Sequence, residues 1–366
     1  MTAALEVDRA QVLAYRVAAQ QFDRSVTDPA ALDVLALGLQ DTPYGSARVA
    51  VAARTTAPPG PALELVWATR GAPHLHRAAD LPGLAAALWP RGDADATARI
   101  ANVRIAEGAA LGLAAFTAAA EAMHAVVRSS LAKGEVSTAV SARVPASLTY
   151  DCPSCRARHI FGSLFQQVGL AAGVRVAAVG GGTVLSPIAG WPGVPAAPGD
   201  PAPLVAAYLR LLGPATPADV AKLVGTSVSE LRPAWPAGLA EVRVDGRRAW
   251  LPADRVDALR AAPAPELVRL LPPRDPYLQA RDRELIVPGR DRQKAVWPAL
   301  GNPGALLAGA EVAGTWRAQA AGRRAVEVTV TPFGPLSPRV RAAVEAEAGH
   351  LAAARGAAEA RVRVEG

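Results

Sequence analysis

The chain is short of cysteine and lysine, and several familiar signatures are missing altogether. Two cysteines in 366 residues cannot build a disulfide framework, and they fit a reducing compartment. No window of about eighteen residues is free of charges and helix breakers, so no transmembrane helix is expected. The opening residues lack a charged stretch before an apolar run, so no secretory leader is expected. There is no Ser-His-Asp order and no HExxH motif. Gly180-Gly181-Gly182-Thr183 has neither the lysine nor the strand–helix setting of a phosphate loop, and reads as a turn.

What the chain has in quantity is arginine. The formal net charge is +7, and lysine contributes only Lys133, Lys222 and Lys294. The guanidinium fork suits phosphates and base edges, so the balance fits a nucleic-acid partner. Apolar residues make up 51%, enough for large cores.

The stretch with the clearest order is 201–262. Leu204, Val205, Tyr208, Leu209 and Leu212 recur at helical spacing, and Gly213-Pro214 stops that helix. Thr216-Pro217 caps a second helix over 217–224, with Asp219 three residues past the cap. A third short helix is expected over 227–233. Residues 239–244 then read as a strand, Asp245-Gly246 as a hairpin turn and 247–251 as the return strand. Helix, turn, helix, helix and hairpin is the winged-helix order. Its wing would carry Arg243, Arg247 and Arg248 to a phosphate backbone.

Elsewhere, helices are expected over 8–22, 29–37, 44–54 and 81–88, with a hairpin over 63–76 that suggests a second winged helix in residues 1–92. Residues 93–200 read as a helical middle region, possibly a further winged helix. Its longest helix falls at 109–130, 136–143 is either helical or extended, and 174–179 is a strand. Trp191 to Pro203 is the best linker. Residues 263–366 read as a small antiparallel β unit, with strands at 268–271, 284–287, 305–308, 311–317 and 325–332, closed by a helix over 340–354. The expected class is mainly α with a small β component: tandem winged-helix modules plus the C-terminal β unit.

Three local clusters carry chemistry. Gln40, Asp41 and Thr42 gather polar groups that could orient a water, although they also suit an ordinary helix end. His74 and His76 lie on one side of a strand between Arg70 and Arg77, where phosphate or base contact is favoured over metal. Cys152-Pro153-Ser154-Cys155 with His159 is a partial zinc knuckle, but a closed structural site normally shows four clear ligands, so no metal is assigned.

Several short motifs, taken in order, resemble the AlkZ-type winged-helix DNA glycosylases. They include Gly38-Leu39-Gln40, Ala53-Arg54-Thr55, Thr69-Arg70-Gly71 with His74 and Asp80, and Gly213-Pro214-Ala215-Thr216. Asp275-Pro276-Tyr277-Leu278, Arg281-Asp282-Arg283 and Gly314-Thr315-Trp316-Arg317 complete the series. In that family a Gln-x-Gln or Gln-x-Asp pair positions the water for base excision. Gln40 matches the first place, while Thr42 stands in the second, with Asp41 between them. The resemblance implies a monofunctional DNA glycosylase that excises N7-alkylated purines or unhooks crosslinks, with less base flipping than most glycosylases. It implies no cofactor, a duplex DNA partner, a monomeric state, no membrane and a cytoplasmic, nucleoid-associated setting. Arg54, Arg70, His74, His76 and Arg281 would then contact DNA. The alternative is a winged-helix DNA-binding protein without catalysis, a regulator or a lesion binder. A zinc-stabilised interaction protein is a third reading.

Overall fold

A computed structural model describes residues 5–322 and 324–365. The chain divides into two compact units. The first comprises Met1–Pro61, Val205–Val220 and Pro236–Gly366; the second comprises Ala62–Leu204 and Ala221–Trp235. Helices and strands are mixed in both, with more strand than the small β component expected from sequence.

In the first unit, Asp8 accepts a hydrogen bond from the Gln11 amide and starts the helix Arg9–Ala19. Val12, Leu13, Tyr15 and Val17 are buried along it, each such aliphatic side chain contributing about 1.5–3 kcal/mol of transfer free energy. The helix packs with a three-stranded sheet through a core containing Val12, Tyr15, Val242, Leu251 and Leu259. The hairpin is where the sequence puts it: Leu239–Val244 pairs antiparallel with Arg247–Pro252. Asp245 and Gly246 both have positive φ, 45° and 77°, as a type I′ turn requires. A third strand, Leu5–Val7, pairs parallel with Leu239–Val244 and was not expected. The helices Ala202–Leu212, Pro217–Val224 and Val228–Leu231 precede the hairpin in the anticipated sequence order, although Ala221–Trp235 is counted with the second unit.

A five-stranded sheet forms the C-terminal part of the same unit. Val268–Leu271, Gly304–Ala308, Glu311–Ala320 and Ala325–Pro332 run antiparallel to their neighbours. The helix Pro338–Ala354, capped by Ser337, then returns the chain to a fifth strand, Glu359–Val364, parallel to Ala325–Pro332. Val344, Ala348 and Leu351 of the helix bury against Leu270, Leu306, Trp316, Val328 and Val330. A Cβ at Gly304 would lie 2.2 Å from the Trp316 ring, so this position must be bare. Three expectations are corrected here. The helix does not close the chain, the sheet is not purely antiparallel, and 284–287 is no strand. Arg283–Ile286 is instead one helical turn, closed by the Leu285 amide on the Asp282 carbonyl at 2.9 Å.

The second unit is built around the helix Leu113–Val126 and a sheet. Leu63–Trp67 pairs antiparallel with both Pro73–Arg77 and Val174–Val179. Val174–Val179 turns back into Gly182–Pro187, which also pairs with Leu131–Ala132. Phe116, Met123, Val140, Phe165 and Trp67 share one core. The long helix starts later than expected, because Gly112 at φ 58° breaks it from the preceding turn. The Asp93 carboxylate then accepts the Leu113 amide at 2.9 Å. Lys133–Ser141 is helical, which resolves the segment that periodicity left open. The expected helix over 29–37 consists of two 3-10 turns, Pro29–Ala31 and Asp33–Ala36; their hydrogen bonds reach back three residues, too tight for an extended run.

Candidate active site and DNA-binding residues

Gly38, at φ 81°, swings the chain out of the second 3-10 turn into the two-residue strand Leu39–Gln40. Gln40 is buried, 6% exposed. Its Oε1 accepts a hydrogen bond from Gln279 Nε2 at 3.0 Å. Gln279 is fixed by a second bond from the same nitrogen to the Arg274 carbonyl at 2.9 Å. The amide nitrogen of Gln40 bonds nothing among the described residues, so its donors stay open to a water or a substrate.

Asp41 turns to a different neighbour, as alternation along an extended chain requires. Its Oδ1 accepts the Ala47 amide at 2.9 Å and so serves the start of the helix Ser46–Ala52, whose own first position, Gly45, offers no side-chain cap. Burial pushes the Asp41 carboxyl above the ordinary range, although the Ala47 and Gly45 amides and the Arg48 charge pull against it. A buried carboxylate with a raised pKa takes up a proton more readily than a free one. Thr42 is half-buried, and Tyr44, two residues on, is 63% exposed. Gln279 and Tyr44 were missed from sequence. Gln279 directly follows the Asp275–Leu278 motif, which was the available signal; Tyr44 gave none.

Arg54, expected from sequence to contact DNA, is not at the surface. It is fully buried, forks onto Asp275 with both nitrogens at 2.8 Å, and reaches the Gln20 side chain at 2.6 Å and the Ala50 carbonyl at 2.9 Å. Its guanidinium lies over the Phe22 ring, 4.4 Å from the centroid. Asp275 also accepts the Tyr277 amide at 3.0 Å. This buried pair fixes the base on which Gln279 stands.

The hairpin arginines Arg243, Arg247 and Arg248 are exposed. Arg243 and Arg248 sit directly opposite one another in the hairpin, so by alternation they share a face that Arg247 does not. Each of the opposed pair has its own acidic neighbour. Arg243 lies 3.7 Å from Glu6, and Arg248 lies 2.7 Å from Glu241, with its guanidinium over Trp250. Arg247 and Arg248 line an open cleft of about 580 Å³ with Arg9, Thr216, Asp219 and Glu284. Arg281 is half-buried, donates its amide to the Tyr208 hydroxyl at 3.4 Å, and has its pKa lowered by burial.

In the second unit, Arg70 is exposed and held in the left-handed region at φ 57°. His74 and His76 are not surface cations: they are 4% and 1% exposed. Burial, chiefly, lowers the His74 pKa to about 3, and its Nδ1–H donates to the Ala72 carbonyl at 2.9 Å. It is therefore neutral at physiological pH and can offer hydrogen bonds but no charge. In the cysteine hairpin, hydrogen bonds from the Ser154 hydroxyl and the Cys155 amide hold the Cys152 thiol down to about 5.

Comparison with known proteins covers most of the length. The model of the DNA glycosylase AlkZ-like family matches residues 16–354. The solved structure of Streptomyces sahachiroi DNA glycosylase AlkZ superposes with a TM-score of 0.70 at 25% identity, covering 99% of this chain and 100% of that one. No curated protein matches. Among the described residues, no single helix is long and apolar enough to cross a membrane. With a family match that runs from the first helix to the last, the chain belongs to the DNA glycosylase AlkZ-like family.

Proposed function

We propose that the chain is a monofunctional glycosylase that excises N7-alkylated purines, or unhooks crosslinks, from duplex DNA. Alkylation at N7 puts a positive charge on the base, and that charge makes it a good leaving group. As the C1′–N9 bond breaks, its electron pair neutralises the base and leaves an oxocarbenium-like sugar. A water then bonds to C1′ and loses a proton. In this reading Gln40 holds the water through its uncommitted amide, with Gln279 fixing the rotamer. Asp41 supplies negative charge near the sugar and takes the water's proton. Thr42 borders the same water and contributes at most a hydroxyl. Preorganised groups of this kind supply much of the transition-state stabilisation in such sites.

Residues 201–262 act as a winged helix, one of a tandem set, and bring Arg247, Arg248 and Arg243 to the phosphate backbone. Arg70 and Arg281 lie nearer the lesion. His74 serves as a neutral hydrogen-bonding group with His76 two residues on, and Arg54 is internal scaffolding. The protein works as a monomer on chromosomal DNA, and the chemistry calls for no cofactor.

The observation that supports the reading is the Gln40–Gln279 bond, which orients a buried amide one residue away in sequence from a carboxyl of raised pKa. The test is release of N7-methylguanine from a labelled duplex by the wild type and by Gln40→Ala. Release by the wild type and loss in the variant supports it. Equal release by both removes Gln40 from the chemistry. Damage-preferring binding with no release by either makes the protein a lesion binder.

A further inference from the structure

We propose that Cys152, Cys155 and His159 form a zinc site that pins the hairpin Thr149–Cys152/Ala157–Ile160, with the fourth position left to solvent. The sequence shows only three ligands and so assigned no metal; the geometry brings those three together. Their ligand atoms all lie within 4.8 Å of one another. Tetrahedral zinc, with bonds of about 2.3 Å to sulfur and about 2.0 Å to nitrogen, wants such atoms roughly 3.3–3.8 Å apart, a shift within side-chain reach.

The fold explains why they converge. Tyr150 pairs directly with His159, and Cys152 pairs with Ala157. Cys152 is thus diagonal to His159 on one face of the hairpin. The turn carries Cys155 back over that face, closed by Arg156 in the left-handed region at φ 51°.

The histidine provides the second, independent observation. Its Nδ1 lies 2.7 Å from the Ile160 carbonyl. A carbonyl only accepts, so Nδ1 carries the proton and Nε2 presents its lone pair. Nε2 is buried and has no hydrogen-bond partner. A ligating imidazole that donates its other nitrogen to a backbone carbonyl is the usual orientation at a metal. The ring is held in place by Tyr150, with centroids 5.1 Å apart.

Charge and chemistry select the ion. Two thiolates and a neutral imidazole form a soft set, suited to zinc and poor for magnesium or calcium. Arg158, in the same hairpin, is occupied by Asp151 at 3.2 Å and by the Thr149 hydroxyl at 2.9 Å. Asp151 is thereby directed to Arg158 and is not the fourth ligand.

The experiment uses the full chain without an affinity tag, purified under reducing conditions without chelator and dialysed after exposure to zinc. Metal analysis should find about one zinc per chain in the wild type and a small fraction of that in Cys155→Ser and His159→Ala. Cobalt substitution should give tetrahedral d–d bands with thiolate charge transfer that both variants lose. The two thiols should react with a thiol reagent only after a chelator is added. Cys155 is exposed, so its serine variant should keep the wild-type circular dichroism spectrum. Zinc well below one per chain in the wild type, undiminished zinc in the variants, or a Cys152–Cys155 disulfide in the reduced preparation would each overturn the proposal.

Discussion

Gln40 and Gln279 stand 239 residues apart in sequence and meet through a single 3.0 Å hydrogen bond. Gln279 is anchored in turn by the carbonyl of Arg274, whose next residue, Asp275, holds the buried Arg54 through its carboxylate. The orientation of the candidate water-binding amide therefore depends on a salt bridge that never touches it.

Gln40→Ala should lower excision by about 100-fold, the usual cost of removing one preorganised hydrogen-bonding group. Gln279→Ala should cost less, on the order of 10-fold, because Gln40 keeps its chemistry and loses only its orientation. Single-turnover release from a labelled duplex measures both. A larger loss in Gln279→Ala than in Gln40→Ala would reverse the assigned roles.

Breaking the internal ion pair should damage stability before activity. Arg54→Ala or Asp275→Ala leaves a buried charge without its partner and should cost about 3–5 kcal/mol. Thermal melting reads this directly. A loss of DNA affinity in Arg54→Ala at an unchanged melting temperature would restore the surface role that the sequence suggested.

In the hairpin, Arg247 has no acidic partner among the described residues, whereas Arg248 must give up Glu241. Arg247→Ala should weaken DNA binding about equally across sequences and reduce the salt slope by about 0.9. Arg248→Ala should have the smaller effect. Affinity measured at several salt concentrations distinguishes the two.

His74 gives the fold an acid limit. Its native pKa of about 3 lies below its ordinary value of 6.5, so the unfolded chain binds the extra proton. Its contribution is fully present above 6.5 and is lost as pH falls from there towards about 3, by at most about 1.4 kcal/mol per pH unit. A His74→Phe variant that keeps the fold should show a flatter stability profile over that window. The profile is followed by denaturant titration at each pH.

Asp41 has the opposite sign. Its pKa is raised, so its contribution to stability is full below the ordinary carboxylate value and lost as pH rises through the native one. If it takes the proton, excision should climb with pH through that same native value. Asp41→Asn keeps an acceptor for the Ala47 amide, so it should retain the fold, release base slowly and show no such climb. An unchanged pH–rate profile in the variant would exclude Asp41 as the proton acceptor.

Much of the architecture could be read locally. Asp245-Gly246, Gly213-Pro214 and the Thr216-Pro217 cap each act within a few residues, and the hairpin and helices they bound are where spacing puts them. The strand Glu359–Val364 was overlooked even though Ala360, Val362 and Val364 alternate with charge; the preceding helix looked like a natural end. What could not be read was burial. Nothing near Arg54 announces Asp275, and nothing beside His74 announces the packing that keeps it neutral. The cysteine hairpin falls between these cases: its ligands were visible in the motif, but the backbone carbonyl that orients His159 was not.

Arg16 lies in the first helix, and Asp282, its carboxylate partner, follows 266 residues later. A ribosome therefore delivers the cation long before the anion that neutralises it. For most of that interval the helix Arg9–Ala19 lacks the hairpin Leu239–Pro252 as well as its counterion. The first unit accordingly can close only late in synthesis, after most of the second has already been made, and an interrupted chain would carry the apolar side of that helix uncovered.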